Sequence, residues 1–313
     1  MSGNLSINIK NTIKDYFILI KFTLSFTVVF SCVICFLLAP NIEMSSWSTI
    51  KNVFILFVAG MMVTGSANAI NQASERDTDA QMKRTSNRPV AAGRMTVQHA
   101  LTIAAIIGIT GTIMMWYYFN LTASLVSLFS LFLYAYIYTP LKKKNSIAVL
   151  IGGFPGALPC LIGWVAATDV FNPYGTIMIH NVNISNMAGW SLFLLQFVWQ
   201  FPHFWAIAWV AHNDYSRVGF KLLPSDKGPT KYTAIQTIMY SVLLIPIGFM
   251  PSYFGITGHI SMWIILLGNL VMVMQSVRLY NTMDVKAARR VMFSSYIYLP
   301  IILMALLFDK LHY

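Results

Sequence analysis

Residues 52–89 read NVFILFVAGMMVTGSANAINQASERDTDAQMKRTSNRP. The stretch opens with an uncharged run over 52–70, close to the ~20 apolar residues that carry a helix across a bilayer. It then turns, within one helical turn, to acids followed by bases. Working outward, runs of the first kind recur at about 16–39, 98–119, 121–138, 147–166, 188–210, 232–254, 260–280 and 290–308. Together they predict about nine transmembrane helices in an all-α integral membrane protein. Composition agrees: 57% of residues are hydrophobic and 10% charged. A water-soluble domain carries about a quarter charged residues, so this chain cannot wet a soluble globule.

The net charge of +11 would point to nucleic acid in a soluble protein. Here its cause is topological. Basic residues gather before the first run (Lys10, Lys14) and between the second and third (Arg76, Lys83, Arg84, Arg88, Arg94). They gather again between the fourth and fifth (Lys142, Lys143, Lys144), the sixth and seventh (Arg217, Lys221, Lys227, Lys231), and around the gap before the ninth (Arg278, Lys286, Arg289, Arg290). The intervening loops carry almost none. With nine spans all the basic loops share one face. The positive-inside rule makes that face and the N-terminal segment 1–15 cytoplasmic and sends the C-terminus outward. The whole of 1–313 is expected to be one transmembrane domain. The first apolar run is too long for a signal-peptide core and no small-residue cleavage site follows it, so it is expected to remain as a span.

Two long basic-face loops, 71–97 and 211–231, alternate with two short ones, 139–146 and 281–289. That order is compatible with two parallel four-span repeats plus a ninth span. The chain has ten acids, and five of them (Glu75, Asp77, Asp79, Asp214, Asp226) fall in the two long loops. Asn71, Glu75 and Asp79 are spaced four apart, so a helix continuing from the second span would line them on one face. Three oxygen ligands there suit a hard cation such as Mg²⁺. Lys83, Arg84 and Arg88 follow directly, as expected where an anion is held through a metal and its remaining charge is met by Lys and Arg. The alternative is a solvated loop of surface ion pairs. Asp77 points elsewhere. Asp214 and Arg217 in the second loop, with Tyr138 and Lys142 from the fourth span, are placed to join the same polar cap.

Inside the sixth span lies Trp199-Gln-Phe-Pro202-His203-Phe-Trp205. An ionisable group at membrane depth is a functional candidate. The alternative is a histidine bonded to a neighbouring helix. On a continuous helix His203 would lie about 16 Å below Asp214, in an apolar chamber under the cap. Gly152-Gly-Phe-Pro-Gly156 allows close approach of a helix or a ligand. Cys32 and Cys35 form a CxxC inside an apolar run with no other ligand type nearby, which reads as packing thiols.

These motifs together resemble the UbiA superfamily of intramembrane prenyltransferases, and within it the branch that farnesylates haem. The segments are Asn71–Asp79 with Met82–Thr85 and Arg88-Pro89, Tyr138–Lys142, Gly152–Gly156, Trp199–Phe204, Asp214–Pro224, Ala287–Arg289 and Tyr298–Pro300. Val218 stands where the superfamily's second motif usually has a further acid, and Cys160 where a proline is expected. The resemblance implies that farnesyl diphosphate binds through Mg²⁺ held by Asn71, Glu75, Asp79 and Asp214. Lys142, Lys83, Arg84, Arg88, Arg217 and Tyr138 would face the diphosphate. Haem b would be the acceptor, with His203 in contact with it, and haem A synthase or oxidase-assembly proteins would be partners. The place would be the bacterial inner (cytoplasmic) membrane, with no nucleic acid involved. A sister prenyltransferase acting on an aromatic or quinone precursor shares the diphosphate motif. A secondary transporter is a third reading, against which stands the gathering of acids at one face.

Overall fold

A computed structural model describes residues 2–225 and 227–313, with side chains described from residue 11 onward. Asp226, one of the ten acids, lies outside the described residues.

The expected first span is not one helix. Helix α1 (Ser2–Leu19) ends, the chain bends by 48°, and α2 (Phe22–Leu38) begins. Lys21 sits in the bend with φ +47°. A break at this depth leaves helical carbonyls without their amide partners, which is costly unless they are met. They are met here by side chains of α3 (Trp47–Ser74) and α2. Gln72 Nε2 donates to Ile18 O and Leu19 O at 2.7 and 3.0 Å, and Ser25 Oγ donates to Ile20 O at 2.6 Å. The amides of α3 that look like a polar flaw in an apolar run are therefore the support of the bend.

After α3 the ladder region forms α4 (Arg76–Gln81), and α5 (Val97–Tyr118) packs back on α3. Next come α6 (Leu121–Phe132), a wide π-helical turn (Leu133–Tyr138) and the short α7 (Thr139–Leu141). Pro140 has no N–H and its ring crowds the carbonyl four residues back. The turn before it widens, and Thr139 N–H reaches Tyr134 O instead. The fifth span is α8 (Ala148–Thr168). The loop after it holds an antiparallel hairpin, β1 (Thr176–Ile179) and β2 (Val182–Ser185). His180 and Asn181 at its tip both have positive φ, as a tight hairpin turn requires. This hairpin is the one departure from the expected all-helical class among the described residues.

The remaining elements are α9 (Met187–Val210), α10 (His212–Arg217), α11 (Lys231–Tyr253), α12 (His259–Thr282) and α13 (Val285–Phe308). Among the described residues seven helices are long and apolar enough to cross a membrane, and the bent α1–α2 pair makes an eighth. Helix α9, 24 uncharged residues lowered in hydropathy by Gln, His and Trp, is long enough to be the ninth. The expected helix running from His203 through to Asp214 is interrupted at Ala211.

Two ends can be told apart by contacts. At one, Asp15 pairs with Arg94 (2.8 Å), Lys142 with Glu75, and Arg84 with Tyr215, which gathers the basic loops. At the other, Asn41 reaches Ala167 O and Asn120 reaches Val165 O. There Lys310 donates to the carbonyls of Leu37, Ala39 and Ile42 at 2.7, 2.8 and 2.7 Å, closing the end of α2 with a residue just beyond α13.

Candidate active site

Asn71, Glu75 and Asp79 are buried in a row at the junction of α3 and α4. Glu75 departs from helical geometry, yet the amide ladder carries through it: Glu75 N–H bonds to Asn71 O at 3.0 Å and Asp79 N–H to Glu75 O at 2.7 Å. The fourfold spacing thus survives the break. Asp77 is exposed to the other side.

Each of the three side chains faces a cation. Lys21 Nζ donates to Asn71 Oδ1 at 2.6 Å. Lys142 Nζ is 2.6 Å from Glu75 Oε1. Arg88 Nη1 donates to both Asp79 oxygens, at 2.7 and 2.9 Å. Lys142 is itself buried and also lies over the rings of Tyr138 and Phe220, 4.9 and 5.3 Å from their centroids. Although Lys142 is close, Glu75 Oε1 has no aligned hydrogen-bond donor and is fully enclosed. Buried carboxylate oxygens are seldom left so. An unaligned oxygen beside an amide oxygen and a second carboxylate is a donor set that fits a hard divalent cation.

The second loop is arranged differently. Asp214, on α10, is half-buried, and its side chain makes no ion pair or hydrogen bond among the described residues. Among those residues no three acidic, His or Cys side chains converge on one metal position. Glu75, Asp79 and Asp214 thus do not meet as one three-carboxylate cluster. Arg217 and Lys83 are exposed. Arg84 Nη2 donates to Tyr215 Oη at 2.8 Å, linking the two long loops, and Lys221 N–H donates to Lys142 O at 2.8 Å, linking the second to the short loop 139–146. Lys21 is the residue that sequence reading missed. Its signal was a lone lysine early in an apolar run, where charge is costly unless used.

Below the row lies a chamber of about 840 Å³. Tyr134, Tyr138, Gly156, Gln200, Trp199 and His203 are among its walls, so one space runs from beside Lys142 to the sixth-span histidine. The widened turn at 133–138 aims Tyr138 inward, against Gly152: a Cβ there would meet its ring at 2.7 Å. A Cβ on Gly156 would strike Gln200 Oε1. These glycines serve close packing and line the chamber at once. His203 is buried, bonded to Ser295 through Nδ1 and stacked on Trp199. The cysteines are buried free thiols, with Cys160 donating to Gln196 Oε1.

The sequence model of the UbiA prenyltransferase family matches residues 28–298. The chain belongs to that family. It is a multi-pass membrane prenyltransferase. A UbiA-family relative from Cytophaga hutchinsonii, named protoheme IX farnesyltransferase, is 42% identical over 302 residues, covering 96% of this chain and 98% of the relative. One of the same name from Flavobacterium psychrophilum is 38% identical over 307 residues, covering 96% of each. The UbiA fold is seen again in solved structures. A digeranylgeranylglyceryl phosphate synthase superposes with a TM-score of 0.75 at 20% identity, covering 96% of this chain and 98% of that one. A UbiA homologue from Archaeoglobus fulgidus bound to GPP and Mg²⁺ gives 0.66 at 14% identity, covering 93% and 99%.

Proposed function

We propose that this prenyltransferase moves the farnesyl group of farnesyl diphosphate onto a vinyl group of haem b, giving a hydroxyethylfarnesyl side chain, in a Mg²⁺-dependent reaction. The observation that carries this is a row of Asn71, Glu75 and Asp79, each matched to a cation, joined through Lys142 and the Tyr138 ring to an apolar chamber whose wall includes His203. The farnesyl relatives at 38–42% identity support the choice of substrates.

Asn71, Glu75 and Asp79 would hold Mg²⁺ together with the diphosphate, and Asp214 would join them from the second loop. When bound, the ion would neutralise diphosphate oxygens and favour their departure. Lys21, Lys142 and Arg88 already converge there; released from the acids, they would meet the negative charge that grows as the C1–O bond breaks. Arg84, and Lys83 and Arg217 further out, would extend that field toward solvent. The chamber takes the isoprenoid chain and excludes water. The rings of Tyr134 and Tyr138 would steady the allylic cation. The vinyl carbon attacks C1, and water then adds to the resulting cation with loss of a proton. The basic end is assigned to the cytoplasm of a bacterial inner membrane, the C-terminus to the periplasm, and haem A synthase or oxidase-assembly proteins to the partners.

The decisive experiment supplies purified protein with haem b, farnesyl diphosphate and Mg²⁺ and follows the porphyrin by mass spectrometry. A mass gain of farnesyl plus hydroxyl is expected, abolished by EDTA and restored by Mg²⁺. An unmodified haem alongside prenylation of an aromatic acid would move the protein to the sister reading. Reporters fused after Tyr313 and at Met95 are expected to read opposite sides of the membrane.

A further inference from the structure

The two ring nitrogens of His203 are not equivalent. Nδ1 lies 2.8 Å from Ser295 Oγ on α13. That hydroxyl has a single proton, and it sits 2.6 Å from Met292 O, a carbonyl that can only accept. The proton of Ser295 is thus committed to Met292, and its oxygen must accept from His203. Nδ1 therefore carries a hydrogen. No carboxylate contacts the ring among the described residues, so a second ring proton would be an uncompensated buried charge. Nε2 is left with a bare lone pair and has no hydrogen-bond partner among the described residues.

The ring cannot turn freely. Trp199 stacks on it at 4.7 Å and 21°, and Tyr296 meets it edge-on at 5.0 Å and 79°. Trp199 is held in turn by its Nε1 donating to Ser295 O at 3.2 Å. One serine thus sets the protonation of the imidazole through its side chain and the stacking partner through its backbone. His203, Trp199 and Tyr296 all line the chamber.

We propose that Ser295 is a positioning residue that holds His203 as the Nδ1–H tautomer, so that Nε2 is offered to the chamber as an axial ligand for the iron of a metalloporphyrin. The inference rests on the haem reading above and makes it specific. A propionate would need a donor at Nε2, and this tautomer presents a lone pair. Histidines that bind metals nearly always donate their other ring N–H to a neighbour that fixes the tautomer, and Ser295 is in that place.

The test is a titration of the detergent-solubilised protein with haem b and, separately, with metal-free protoporphyrin IX, read by absorbance. Wild type, Ser295→Ala, Ser295→Thr and His203→Ala are compared, with farnesyl diphosphate binding measured on each. Ser295→Ala is expected to weaken haem binding by about tenfold and to shift its spectrum. Metal-free porphyrin and farnesyl diphosphate binding should hold, and Ser295→Thr should restore haem binding. His203→Ala should lose the nitrogen-ligand spectrum, and added imidazole should bring it back. The positioning role is overturned by an unchanged haem spectrum and affinity in Ser295→Ala. It is also overturned by an equal loss of metal-free porphyrin or farnesyl diphosphate. In either case a His203-dependent haem spectrum in the wild type would leave the haem reading standing. A wild type that binds neither porphyrin would take down both.

Discussion

The loops after the second and sixth spans are the two long loops of the basic end, yet they are built differently. The first buries Asn71, Glu75 and Asp79 and gives each a cation. The second leaves Asp214 half-buried with no side-chain partner, and Arg217 exposed. The first loop is an assembled half-site, in which the cations hold the acids apart from one another without metal. The second is tied to the first through Arg84–Tyr215, and through the Lys221 backbone to Lys142, the partner of Glu75. On the function proposed above, a site so divided would bind its anion and its metal jointly, each helping the other to displace the pairs already made.

The sharpest way to break the comparison is to remove one acid from each half. Glu75→Gln and Asp214→Asn are each expected to lower turnover by at least about a hundredfold, measured as farnesylated product per minute. Their stabilities should part company. Glu75→Gln strands the buried Lys142 and is expected to cost about 3–5 kcal/mol, while Asp214→Asn, which breaks no contact, should leave the thermal melting point in place. Equal destabilisation by both would show that the second loop is as pre-built as the first.

A second prediction concerns coupling between ligands. Because Lys21, Lys142 and Arg88 hold the row, Mg²⁺ alone should bind weakly, and an unreactive farnesyl diphosphate analogue should tighten it by at least about tenfold, a coupling of roughly 1.4 kcal/mol. Lys21→Met should raise the affinity for Mg²⁺ alone and lower that for the analogue. Calorimetry with each ligand in the presence and absence of the other reads both terms, and independent binding would dissolve the idea of exchanged pairs.

The smallest effect is expected at the link between halves. Tyr215→Phe removes one hydrogen bond to Arg84, worth about 1 kcal/mol, and should raise KM for farnesyl diphosphate a few-fold without altering kcat. A change in kcat would mean that the link does more than hold the second loop near the first.

The span count and the ladder were legible because bilayer thickness and helical pitch write directly into sequence. The runs at 98–119 and 260–280 match α5 and α12 to within two residues. The bend at Lys21 was not legible. An apolar run hides where it breaks, because the carbonyls left open at Leu19 and Ile20 are met from α3 and α2 rather than marked by a local proline or glycine. The same holds for His203, whose partner Ser295 is 92 residues away. The hairpin was missed because its strands are four residues each, too short for the alternation of Val182-Asn-Ile184-Ser to stand out in a loop between two spans. Asp214 stood out as an acid, but nothing in the sequence said that it would lack a partner.

Lys310 gives the molecule a temporal order. It is synthesised 273 residues after Leu37, and its ammonium closes the end of α2. Helix α13 also supplies Tyr296, Leu299 and Leu303 to the chamber. During synthesis, then, every helix up to α12 can be inserted while the chamber still lacks a wall. Lys310 is then a latch that closes only once α13 is in place. Without α13 the chamber would stand open on one side, unable to shield a carbocation.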